Sequence, residues 1–237
     1  NPLIVHVAGL AEAEGLAHFD DRARTLAARF WPGPLTLVLP ARAQAGLAAA
    51  VTAGLPTVAL RCPAHPAMRA LLLETGFPLA APSANRSGAV SPTTAAHVAA
   101  SLGARVDLVL DGGACAAGLE STIVALRQDG GWQVLRPGPI DPAEIAALLG
   151  QPPRAIDEAR IEAPGQLARH YAPGKPVRLD ARTAEADEFH IGFGAIGGAI
   201  NLSPGGDLAQ AAAGLYAALH AAAASGQPHR AGPRLRH

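Results

Sequence analysis

The sequence predicts an α/β protein: a twisted mixed sheet with helices, then a linker and a second, smaller α/β domain. Three observations predict it. Strand-length apolar runs rich in Val, Ile and Leu recur from residue 3 to residue 135, bounded by Gly, Pro or Asp. Ala-rich stretches of helical length separate several of them. The late runs at 122–126 and 132–135 are joined by a short Gly-containing turn, which makes part of the sheet antiparallel.

Taken in order, strands are expected at Leu3–Val7, Leu35–Leu39, Thr57–Leu60, Pro78–Ala81, Val106–Leu110, Thr122–Leu126 and Trp132–Leu135. Helices are expected at Ala11–Arg29, Pro66–Thr75, Pro92–Leu102 and Pro142–Leu149. Two helix starts have a local cause. In "DPAE", Asp141 takes the N-cap, Pro142 the first helical position and Glu144 the acidic place of a capping box. "SPTT" gives Ser91 and Pro92 the same two places. From Gly150 to Pro176 five prolines and no long apolar run mark a linker, yet Arg169, His170 and Tyr171 are costly residues for a spacer. "PVRL" and "EFHIGFG" then read as strands, and Gly206–Ser225 contains a helix. The domains so expected are 1–150, a linker at 151–176, and 177–237, the last ending in a frayed "HRAGPRLRH". "NPLIVHV" enters a β-branched run with no polar leader and reads as the interior of a longer structure.

Nineteen basic and nineteen acidic residues cancel, so no global field attracts nucleic acid or an anionic membrane. Lys175 is the sole lysine. Cys62 and Cys115 form no metal or redox motif, and no run has the length of a membrane span or the pattern of a signal peptide. These features lead to the expectation of a cytoplasmic protein.

Ligands of open α/β sheets gather at the carboxyl ends of strands. Arg61 closes "TVALR", Ser83 and Asn85 follow "PLAAP", Ser121 precedes "TIVAL" and Arg136 closes "WQVLRPG". The two guanidiniums suit a carboxylate or phosphate, and with nearby hydroxyls they can hold a small anion. Each residue also has a plain reading. A lone Arg is a solvated charge, Ser83 and Asn85 shape a turn, His6 is a hydrogen-bonded core or edge histidine, Ser121 and Glu120 form a turn, and Thr57 is an ordinary strand residue. The amides of a helix opened at Ser91 favour an anion, although neither a P-loop nor a dinucleotide fingerprint is present.

Together, and in this order, "NPLIVHV", "FWPGPLTLVLP", "TVALRCPAHP", "PLAAPSANRSGAVSPT", "LVLDGG", "LESTIV" and "VLRPGPI" resemble the threonylcarbamoyl-AMP synthase family, the YrdC-type enzymes of tRNA modification. The linker and "NLSPGGDLAQAAAGLYAALHAA" are similar to its long, two-domain form. The resemblance implies a YrdC-like fold with a small Rossmann-like second domain. It also implies condensation of L-threonine, bicarbonate and ATP to threonylcarbamoyl-AMP and pyrophosphate, with Mg2+ accompanying the ATP. It places Asn1, Thr57, Ala81, Ser83, Ser91, Arg136 and Tyr171 on the ATP side, with the linker closing over the nucleotide. His6, Arg61 and Ser121 fall on the threonine side. The product passes to a separate tRNA threonylcarbamoyl transferase, so strong direct RNA binding is not expected.

The family's "TETVYGLG"-like segment and "K-x-R-P" motif, which stand upstream of "NPL", are not in these 237 residues, and the expectation is of a chain incomplete at its N-terminus. The alternatives are an impaired nucleotide- or threonine-binding module of the same fold, a hydrogenase-maturation carbamoyltransferase, disfavoured by two isolated cysteines, and a double-stranded-RNA binder.

Overall fold

Short strands of β-branched and aliphatic residues build the first sheet. In a computed structural model, which describes residues 1–156, 161–166 and 174–233, it runs through β1 (Ile4–His6), β2 (Leu35–Pro40), β3 (Thr57–Arg61), β4 (Leu79–Ala81), β5 (Thr122–Leu126) and β6 (Trp132–Arg136). Their spatial order is β4-β1-β3-β2-β5-β6. β1 with β3 and β2 with β5 are parallel, and the remaining neighbours are antiparallel.

Side chains alternate between the faces of a strand, so the register sorts the sheet into two surfaces. One carries Val5, Leu37, Leu60 and Val124, and these pack with Leu16 of α1 (Leu10–Leu16), Leu26 of α2 (Asp21–Phe30) and Ile145 of α6 (Pro142–Leu149). Fully burying such a side chain is worth about 1.5–3 kcal/mol, and this face holds the larger core. The other carries Ile4, Val38, Ala59, Ile123 and Ala125, joined in one small cluster by Leu135 and by Ala163 from the linker. This second surface, the shallow face, holds the smaller cluster.

The chain divides into two compact units, Asn1–Pro82 with Glu120–Ala168, and Ser83–Leu119 with Arg169–His237. The first also contains α3 (Ala49–Thr52) and α4 (Pro66–Thr75). The second has α5 (Ala95–Leu102) and a parallel sheet ordered β7-β10-β8-β9, with β7 at Val177–Arg178, β8 at Glu188–Gly192, β9 at Ile200–Asn201 and β10 at His229–Ala231. Helix α7 (Leu208–Ala224) packs Ala211, Ala218 and Ala222 with Ile191 and Leu202 of this unit. Residues 83–119 thus group by their contacts with the C-terminal part of the chain.

Four local expectations are corrected. Ala11–Arg29 is two helices, because Asp20 accepts from the Ala23 amide and opens a new one after Ala17 bridges to Ala41. Val106–Leu110 forms no strand: none of the described residues offers it a ladder, and Leu108 and Leu110 stand 76% and 68% exposed. The helix expected from Pro92 begins at Ala95, since Thr94 accepts from the His97 amide, so Ser91 is not its cap. The strands β9 and β10 were not anticipated, each being too short to show a pattern.

Candidate active site

Register places most of the singled-out residues of the first unit on the shallow face. His6 lies opposite Arg61 on β1 and β3, and opposite Leu79 on β4. Ala81 and Thr57 share this face, two residues from Leu79 and four from Arg61 along their strands, toward the strand ends away from Arg61. Thr36 is one step beyond the Leu37–Leu60 pair, hence beside Arg61. Arg136 pairs with Ile123, two residues on from Ser121. A polar rim of His6, Arg61, Thr36, Ser121 and Arg136 therefore borders an apolar floor.

Backbone packing fixes the rim. The Arg61 Nε donates to the Gly33 carbonyl at 3.1 Å, while the Gly33 amide donates to the Cys62 carbonyl at 2.9 Å. Only glycine fits there, because a Cβ would stand 2.2 Å from the Phe30 oxygen. Across the sheet, Gly138 lets the "RPGPI" turn lie on the start of β5, where a Cβ would come 2.4 Å from the Thr122 nitrogen. The Thr122 hydroxyl accepts from the Ile140 amide at 2.9 Å and pins that turn.

Three buried polar side chains form a chain at this end. Arg136, 8% exposed, donates from Nε at 3.1 Å and Nη2 at 2.8 Å to the Ser121 carbonyl, and from Nη2 at 3.0 Å to the Ser121 hydroxyl. The Ser121 Oγ is 2.7 Å from the Thr36 Oγ1. Thr36 was missed from sequence. Its signal was a hydroxyl inside the otherwise apolar run "PLTLVLP", where a wholly buried polar group needs a partner.

His6 is held as the neutral ring. Its Nδ1 donates to the Leu79 carbonyl at 3.3 Å, which leaves Nε2 as an acceptor. Burial, with the Arg61 charge beside it, lowers its pKa from 6.5 to about 4. Such an imidazole orients a donor, for example an amine, and is a poor proton abstractor at neutral pH.

Linker residues 161–166 belong to the same unit. Ala163 is wholly buried in the shallow-face cluster, Glu162 pairs with Arg127, with Nη1 to Oε1 at 3.0 Å, and the Gln166 Oε1 accepts from the amides of 162 and 163.

Asn1 is exposed and precedes β1. Ser83 and Ser91 belong to the second unit: Ser83 is exposed, and buried Ser91 gives its carbonyl to the His220 Nε2 at 3.0 Å. Between them the Asn85 amide nitrogen ties the loop to the carbonyls of Arg86 and Ala89. Tyr171 lies outside the described residues. Among the described residues no three His, Cys, Asp or Glu side chains gather in a way that can hold a metal ion, and no helix is long and apolar enough to cross a membrane.

Residues 1–138 match the Sua5/YciO/YrdC family model, described as telomere recombination, and residues 140–228 match one described as threonylcarbamoyl-AMP synthase, C-terminal domain. Over 186 residues the chain is 45% identical to the threonylcarbamoyl-AMP synthase of Bacillus subtilis, covering 76% of this chain and 53% of that protein. The synthases of Pyrococcus abyssi and Schizosaccharomyces pombe are 42% identical over 187 residues and 37% over 227, covering 75% and 81% of this chain and 53% and 54% of theirs. The chain thus spans about half the length of these relatives. The crystal structure of P. abyssi Sua5 complexed with L-threonine superposes with a TM-score of 0.84 at 32% identity, over 100% of this chain and 75% of that one. E. coli YciO shares the fold at 22% identity and a TM-score of 0.52, over 60% of this chain and 68% of its own.

Proposed function

The chain belongs to the Sua5/YciO/YrdC family, and from that premise we propose that it serves as an L-threonylcarbamoyladenylate synthase, joining L-threonine, bicarbonate and ATP into threonylcarbamoyl-AMP with release of pyrophosphate. The observation that carries this reading is the polar rim of His6, Arg61 and Ser121 above an apolar floor, in a fold similar to a Sua5 complexed with L-threonine.

Arg61 suits the amino-acid carboxylate, as a permanent cation with a planar fork. The Nε2 lone pair of His6 accepts from the amine and so turns the nitrogen lone pair toward carbon. The amine attacks bicarbonate carbon, water leaves, and a carbamate forms. A carbamate oxygen then attacks the α-phosphorus of ATP, and the bond to the β-phosphate breaks to give pyrophosphate. Charge grows on non-bridging oxygens, where positioned cations and hydroxyls act. On this reading Asn1, Thr57, Ala81, Ser83, Ser91, Arg136 and Tyr171 serve the nucleotide, and the linker closes over it. Magnesium supplies charge neutralisation on the phosphates, and phosphate oxygens and water would be its ligands, since no carboxylate cluster is present among the described residues. The product goes to a transferase acting on tRNA, with no tight RNA binding by this protein.

Pyrophosphate release from ATP tests the reading. Release that requires both L-threonine and bicarbonate is expected. Release indifferent to threonine, or none from any form of the protein that binds ATP, would sink it and leave a binding module.

A further inference from the structure

The backbone of Ser91–Thr93 is held at three points by groups outside it. Ser91 and Thr93 are buried, at 6% and 5% exposed, and Pro92 between them has a fixed φ and no amide hydrogen. The Ser91 carbonyl lies 3.0 Å from the His220 Nε2 and can only accept, which puts the ring proton of His220 on that nitrogen. The Thr93 amide can only donate. It points at the His97 Nδ1 at 3.3 Å, with the Thr93 hydroxyl 3.2 Å from the same atom, and this nitrogen is therefore bare. The Cys115 amide closes the set by donating to the Thr93 carbonyl at 2.9 Å.

The two rings support each other. His97 of α5 and His220 of α7 stack with centroids 3.8 Å apart and planes inclined by 20°, so each limits the tilt with which the other meets the backbone. Ser91–Thr93 and His97 lie in the stretch matched by the first family model and His220 in the stretch matched by the second, yet all belong to one compact unit. A side chain from the second stretch thus grips a loop of the first.

We propose that His220, braced by the His97 ring, is a positioning residue for the nucleotide: it sets the Ser91–Thr93 segment before ATP arrives, and through it α7 takes part in ATP binding. The proposal rests on the placing of Ser91 on the ATP side in the reading above. A segment already fixed in its binding conformation loses less freedom when the ligand docks, and that saving appears as affinity. Threonine, met by His6, Arg61 and Ser121, gains nothing from the clamp. The expected signature is a loss confined to one substrate.

The experiment is calorimetric titration with magnesium ATP and, separately, with L-threonine, beside hydrogen exchange at the Thr93 and Cys115 amides. His220→Phe keeps a ring for the stack and removes the donor, whereas His220→Gln places an amide N–H near the position of Nε2. His220→Phe is expected to bind ATP about fivefold more weakly and threonine as the wild type does, with faster exchange at both amides. His220→Gln should return ATP affinity to within about twofold of wild type and restore the slow exchange. Unchanged ATP affinity in His220→Phe would overturn the proposal, and faster exchange beside it would show a clamp that does not serve the nucleotide. Equal losses for ATP and threonine would also overturn it, by making His220 a residue of general stability. Wild-type protein that binds no ATP would instead sink the nucleotide reading, and this proposal with it.

Discussion

His6 carries a pH signature that follows from its surroundings. Its folded pKa of about 4 lies below the ordinary 6.5, so the unfolded chain takes up a proton in that interval while the folded chain does not. The stabilisation is complete above pH 6.5 and is lost as pH falls from 6.5 toward 4. At pH 5 this amounts to about 2 kcal/mol. Urea unfolding at pH 7 and pH 5 should show that loss in the wild type and not in His6→Gln. An equal fall in both proteins would assign the effect to other groups. Because the Arg61 charge is part of the cause, Arg61→Met should move the His6 titration upward, read by NMR of the ring protons. In the assay, Arg61→Ala should raise the KM for threonine by tenfold or more, about the worth of a charged hydrogen bond, with the KM for ATP nearly unchanged. Equal increases for both substrates would mean that Arg61 does not meet the carboxylate. Thr36 shows why such a residue is hard to read beforehand: a threonine is ordinary in a strand, and only Ser121, just before β5, makes it chemical.

Among the elements, caps were more legible than lengths. Asp141 receives the Ala143 amide at 2.8 Å, as "DPAE" leads one to expect, because a short side chain next to a proline at the first helical position has few other uses. "SPTT" contains competing signals, and Thr94 wins: its hydroxyl receives the His97 amide at 3.2 Å. Thr94→Ala should therefore cost about 1 kcal/mol, measured as a shift in denaturant midpoint; no shift would mean that the cap contributes nothing. The run "VDLVL" looks like a strand by composition alone, yet a strand exists only where a partner supplies the ladder, and sequence does not show partners. The linker is the reverse case. Its prolines conceal Ala163 and Glu162, whose burial depends on the sheet beneath them and on Arg127. Glu162→Gln should loosen this element, seen as faster hydrogen exchange at residues 161–166 with exchange in β5 unchanged.

At the scale of the whole molecule, the second unit joins residues far apart in the chain. His97 of α5 stacks on His220 of α7 with ring centroids 3.8 Å apart and planes inclined by 20°. Burial and the nearby His220 lower the pKa of His97. The contact is therefore strongest above the ordinary histidine range and weakens as pH falls below it. The protection of α5 against hydrogen exchange, corrected for the intrinsic rate at each pH, should fall from pH 7 to pH 5, and His220→Phe should flatten that fall; an unchanged fall would exclude the stack as its source. The α/β class, the strand runs of the first sheet, the helix start at Asp141 and the ordered motifs were written in the sequence, because each depends on local pattern, turn chemistry or residue order. Tertiary structure alone decided that His6, Arg61, Thr36, Ser121 and Arg136 share one rim, that residues 83–119 group with the C-terminal unit, and that His6 stays neutral. Strand register, burial and the field of a neighbouring charge are relations between distant segments, and no single segment contains them.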